Sequence, residues 1–159
     1  MKYFKSKITK KLIDEAKNLN FGKGMTKRDN MMFYMVYQSV NTFLSKVVGK
    51  GRAEIRVDEK KVISKIFYED KQVVPIIVEK DLFDPDICIT DFSFSTKGLH
   101  CHNDDDIFLF IVVNKENLEV YFLGCLDVKE VYNKGDFNIF HGIITLRSTL
   151  VKDLKKYFV

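Results

Sequence analysis

Residues 107–113, Ile-Phe-Leu-Phe-Ile-Val-Val, are apolar at every position. A strand with one wet face alternates apolar and polar side chains, so an unbroken run of this length reads as a strand covered on both faces. It is far shorter than the roughly 20 apolar residues a membrane helix needs. The run therefore predicts a layered architecture, with secondary structure packed on either side of a sheet. Asn114-Lys115-Glu116-Asn117 marks a turn, and 118–126 returns as the neighbouring strand.

The periodicity on either side of this strand changes along the chain. Ile8, Leu12, Ala16 and Leu19 recur at helical spacing and predict a helix over 7–19, stopped by Asn20-Phe21-Gly22-Lys23-Gly24. Thr26-Lys27-Arg28-Asp29 resembles a capping box, opening a longer helix over 27–48. Its buried stripe is Phe33, Val36, Tyr37, Val40, Phe43, Leu44 and Val47, widened by Met31, Met32 and Met35. Strands are expected at 53–57, 62–68, 73–78, 87–89, 92–96 and 137–146, the last interrupted at His141-Gly142, with one helical turn at 128–133 and a closing helix at 148–158 capped by Ser148. The expected fold is α/β (α+β): a central mixed sheet over about 52–146 flanked by helices, with a helical N-terminal part, 1–50, packed on it.

A chain of 159 residues has the usual size of one domain, 1–159, able to bury roughly two thirds of its unfolded surface. No repeat or low-complexity linker interrupts it. The basic N-terminus is followed by no apolar signal core, and Cys88, Cys101 and Cys125 form no CxxC pair. Both features predict a cytoplasmic protein with reduced thiols and no membrane partner. The net charge of +4 agrees with a nucleic-acid partner without requiring one. Lysines gather at Lys2, Lys5, Lys7, Lys10 and Lys11, over 46–56, and over 152–156. Each cluster alone reads equally as a solvated face.

Residues 84–97, Asp-Pro-Asp-Ile-Cys-Ile-Thr-Asp-Phe-Ser-Phe-Ser-Thr-Lys, carry the densest chemistry. If 87–89 and 92–96 formed a tight hairpin with Ile87, Ile89, Phe92 and Phe94 inward, Asp86 would stand beside Ser95 and Lys97. A carboxylate with a neighbouring lysine can hold a Mg²⁺-bound water and assist phosphodiester hydrolysis. This stretch resembles the core of the PD-(D/E)XK (restriction-endonuclease-like) nucleases, of the type common in phage and mobile-element proteins. Pro85-Asp86 falls at the family's PD and Lys97 at its terminal lysine. The strands at 106–113 and 118–126, the segment 137–155 and the helix at 27–48 extend the similarity over about three quarters of the chain.

The resemblance implies Mg²⁺-dependent cleavage of DNA. Asp86, Lys97 and Ser95 would be the catalytic set, Asp86, Asp84 and Asp91 the metal ligands, and Lys46, Lys50, Arg52 and Lys97 the phosphate contacts. The motif is incomplete: Ser95 stands where the family has its second acid, and Gln38 where the preceding helix often supplies glutamate. Losing one carboxylate weakens a hard-cation site. The alternative is a nuclease-fold protein without catalysis, binding nucleic acid or a protein partner as a phage or mobile-element accessory factor, with a homodimer left open.

Other patterns are weaker. His100-Cys101-His102-Asn103-Asp104-Asp105-Asp106 holds metal-ligating types at no established zinc spacing. Gly22-Lys23-Gly24 lacks a full P-loop, and Ser93, Ser95 and Lys97 form no SxxK motif.

Overall fold

The computed structural model describes residues 3–20, 26–48, 52–57, 62–151, 153, 154 and 158, giving backbone alone for 47, 48, 52–57, 62–65 and 98. In chain order the elements are β1 (Phe4–Lys7), α1 (Lys10–Lys17), α2 (Lys27–Phe43), β2 (Arg52–Val57), β3 (Val62–Tyr68), β4 (Lys71–Lys80) and β5 (Asp91–Ser95). They continue with α3 (Thr96–His100), β6 (Ile107–Asn114), β7 (Glu119–Asp127), α4 (Val128–Lys134), β8 (Asp136–Asn138) and β9 (Ile143–Arg147).

The apolar run becomes β6, buried at every position and third in a mixed sheet ordered β1-β7-β6-β4-β3-β2. It runs parallel to β4 and antiparallel to β7. Ile107, Leu109, Ile111 and Val113 enter one core, with Val36, Val40, Phe43 and Leu44 from α2 and the turn after it. Phe108, Phe110 and Val112 enter a second core, with Phe92, Leu99, Val131, Ile144 and Leu146. Helices α1 and α2 thus cover one face of the sheet. The other face is covered by a three-stranded antiparallel sheet, β5-β9-β8, together with α3 and α4. The α+β class with a mixed central sheet is as expected.

A bulge in β7 keeps both cores filled. Phe110 pairs with Gly124 and Ile111 with Phe122, leaving Leu123 as an extra residue. Before it Val120 and Phe122 face the helical core; after it Cys125 does, so the parity of the strand reverses. Phe43 sits at the centre of that core, its ring 5.2 Å from those of Phe4 and Phe122 and 5.5 Å from that of Phe158.

Several boundaries differ from expectation. The N-terminal part is not wholly helical: residues 4–7 pair with β7, so α1 begins at Lys10, with the Thr9 hydroxyl capping the Leu12 amide. α2 is capped by Thr26 as expected, but its last turn, Leu44–Val48, is π-helical. The strand expected at 137–146 is interrupted where expected, but the break reverses the chain into a hairpin, β8 and β9, with Gly142 in a left-handed conformation at φ +61°. The closing helix does not start at Ser148. Ser148–Leu150 is a single 3-10 turn ended by extended Val151, and the Ser148 hydroxyl accepts from the Thr90 amide instead of capping. A helical bond from the Phe158 amide to the Leu154 carbonyl appears only later; residues 152, 155–157 and 159 lie outside the described set. Among the described residues no helix is long and apolar enough to cross a membrane.

Candidate functional site

The hairpin expected to join Asp86 to Lys97 does not form. The Asp84 carboxylate accepts from the Asp86 amide at 2.9 Å, and its carbonyl accepts from the Cys88 amide at 2.8 Å. Asp-Pro initiates turns in this way, because proline sets the φ of the second turn position and the aspartate caps the backbone beyond it. Ile87 and Ile89 consequently point to solvent instead of into a core. β5 takes β9 as its partner, pairing Phe92 with Leu146 and Phe94 with Ile144, which matches apolar side chain to apolar side chain.

Each proposed site residue therefore has its own surroundings. Ser95 caps α3, its hydroxyl accepting from the Lys97 amide at 3.2 Å, and Lys97 stands exposed on that helix. Asp91 lies 3.6 Å from Arg147. Asp86 lines a cleft of about 460 Å³ with Asp153, Cys88 and the Tyr3 hydroxyl, which donates to it at 3.5 Å; Lys97, Asp84 and Asp91 are not among its lining residues. In the 100–106 segment, Asp106 is buried and accepts from the amides of Gln72 and Asn103, with His102 Nδ1 at 3.3 Å. His100 pairs instead with the Tyr132 hydroxyl at 3.0 Å. Among the described residues no three His, Cys, Asp or Glu side chains are placed to hold a metal ion together.

The basic residues behave differently. Lys46, from the π-helical turn, meets Lys7 of β1 and Lys11 of α1 around a cleft of about 450 Å³. Two lysine clusters about 35 residues apart in sequence are thus brought to one opening, because β1 sits at the sheet edge beside the helices that cover that face. Ser6, Thr9, Gln38 and Thr42 supply polar walls, and Glu15 is the acidic member. No ion pair among the described residues engages Lys11 or Lys46, while Lys7 stands opposite Glu119 in the β1–β7 pair and its charge acts on that carboxylate. Lys5, also on β1, is held 3.2 Å from Glu119. The Tyr121 hydroxyl donates to that carboxylate at 2.7 Å. This bond, with Lys5 and Lys7, holds Glu119 below the usual carboxylate range, while burial and the Glu119 charge push Tyr121 up.

Of the other expected nucleic-acid contacts, Lys50 lies outside the described residues and Arg52 is described only as backbone at the start of β2. Lys7 and Lys11 were legible as basic residues, but nothing in their spacing pairs them with Lys46. Gln38 lines the same cleft, so the position where the nuclease family often has glutamate faces lysines here. Comparison with protein-family models, with curated proteins and with solved structures finds no match for this chain.

Proposed function

We propose that this protein binds nucleic acid through its phosphates at the Lys7–Lys11–Lys46 cleft, and does not cleave it. The observation that carries this reading is the convergence of Lys11 and Lys46, neither in a described ion pair, from separate stretches of sequence on one polar opening that Lys7, whose charge also acts on Glu119, helps to line. Lysine ammonium groups facing a wet cleft bind phosphate by displacing its condensed counterions, which needs neither a metal nor a particular base sequence. The reading is the binding outcome that the nuclease resemblance leaves beside hydrolysis. Descent from a restriction-endonuclease-like fold goes with it: α2 and the β6–β7 pair agree with that resemblance, and the missing 87–96 hairpin does not. Mg²⁺-dependent hydrolysis by Asp86 and Lys97 is the competing reading, and it lacks a shared strand pair to bring them together.

The test is fluorescence anisotropy with a labelled oligonucleotide across a salt series. Three phosphate contacts predict that log affinity falls against log salt with a slope of about −2 for a single strand. Lys46→Ala should weaken binding and flatten the slope by about 0.7. Absence of binding at low salt would sink the proposal and leave a protein partner as the better reading. Plasmid nicking by the wild type with Mg²⁺ or Mn²⁺, abolished by Asp86→Ala and by Lys97→Ala, would return the protein to the nucleases.

A further inference from the structure

The β8–β9 hairpin carries its two largest turn side chains in solvent: Ile139 is 87% exposed and Phe140 is 98% exposed. Single exposed apolar residues are ordinary, but these two are adjacent and rigidly presented. The Asn138 side-chain oxygen accepts from the His141 amide at 3.2 Å. The Gly142 carbonyl accepts from both the amide and the hydroxyl of Thr96, at 2.9 and 3.2 Å, fastening the turn to the start of α3. Lys97 follows Thr96 directly, and His100 lies on the same short helix. Behind the turn, Tyr132 and Phe137 stack at 5.9 Å, each 40% exposed, with the Tyr132 hydroxyl against His100.

We infer that this tip is a stacking platform for an unpaired base, so that the nucleic acid bound is single-stranded. The inference rests on the phosphate-binding reading above and adds the class of strand. An aromatic face held free of neighbours accepts any base, and cations beside it accept the flanking phosphates. Lys97, on the helix to which the turn is fastened, supplies a positive charge, and His100 and His141 add imidazole rings; Asp136 is the acid nearest along β8. The outer face of the small sheet carries the hydroxyls of Ser93 and Thr145, 3.3 Å apart, with Asp136 opposite Thr145 and the Asp91–Arg147 pair on the same face. Polar groups extending across a sheet from an aromatic suit a sugar–phosphate strand laid over it. They offer nothing to a bilayer, which would meet the tip alone. A fixed turn also spares the ordering cost that a flexible loop would incur on binding.

The experiment compares wild type, Phe140→Ala, Phe140→Tyr and Lys46→Ala on a labelled single strand and on a duplex of the same sequence. Phe140 makes almost no contact in the fold, so its replacement should leave thermal unfolding unchanged. Phe140→Ala should lose about five- to 150-fold in affinity for the single strand, with the salt slope retained and duplex binding unaltered. Phe140→Tyr should bind as wild type does. Single-strand affinity unchanged in Phe140→Ala, or an equal loss on duplex, overturns the stacking inference and leaves phosphate binding standing. Wild type binding neither form at low salt removes both. Phe140-dependent sedimentation with anionic phospholipid vesicles, or a Phe140-dependent dimer, combined with unchanged single-strand affinity would assign the tip to another occupant and overturn the inference.

Discussion

Replacing Gly135 by alanine tests how tightly the small sheet is joined to the rest of the molecule. Gly135 ends α4 with φ −76° and ψ 147°, an extended conformation open to any residue, so backbone freedom is no reason for glycine here. Space is the reason. A Cβ at this position would lie 2.7 Å from Ile144 Cγ2 and 2.9 Å from the Val131 carbonyl oxygen. Carbon atoms pack best at about 3.5–4.0 Å, so the methyl needs roughly 1 Å more room. Ile144 is wholly buried and flanked in the sheet by Phe94 and Phe137, and the Val131 carbonyl already accepts the Gly135 amide at 2.9 Å. Overpacking of this kind costs about 1–3 kcal/mol, against about 0.4–1 kcal/mol gained from a less flexible unfolded chain. With a wholly buried side chain and a backbone carbonyl as the obstructing atoms, the upper part of that cost applies, about 2–3 kcal/mol. The expected net loss is then about 1–2.5 kcal/mol, or roughly 2–10 °C in melting temperature for a chain of this size. Urea unfolding followed by far-ultraviolet circular dichroism should show a lower midpoint with an unchanged slope. A midpoint at or above the wild-type value would refute the packing of α4 against β9 described above.

Four further outcomes follow from other parts of the structure. Phe43→Ala empties the centre of the aromatic cluster and should cost about 3–5 kcal/mol in urea unfolding; less than 1 kcal/mol would mean the three ring contacts are not made. Glu119 has its carboxyl held low, so its contribution is present above the ordinary carboxylate pKa of about 4.3 and is lost as pH falls through the lowered folded value. Glu119→Gln should therefore flatten the acid limb of stability against pH, and an unaltered acid limb would contradict the Tyr121–Glu119–Lys5 arrangement. Ser95→Ala should destabilise by about 1 kcal/mol through loss of the α3 cap. Ser95→Glu should bring no gain in Mg²⁺ affinity by calorimetric titration, and a clear gain would restore the nuclease alignment.

Much of the architecture was legible in local pattern. The unbroken apolar run of 107–113 can satisfy its side chains only between two layers, so β6 and its burial follow from composition alone. The stripe of Val36, Val40, Phe43 and Leu44 behind the Thr26 cap specifies α2 in the same way, and Asn114 to Asn117 specifies the turn into β7. Such features depend on neighbours a few residues away.

What tertiary structure decided is which segments meet. Alternation made 87–89 look like a strand, but Asp84-Pro85-Asp86 closes into a turn, and Phe92 and Phe94 pair across fifty or more residues with Leu146 and Ile144. Residues 4–7 were too short and too basic to read as a strand until β7 offered an edge. The extra Leu123, which reverses the facing of β7, has no local mark. The same holds for function: the sequence displays lysines, but only packing at the sheet edge sets Lys7 and Lys11 beside Lys46. Helical and strand periodicities are properties of one segment's surface, whereas long-range pairing depends on which complementary surface the rest of the chain presents to it.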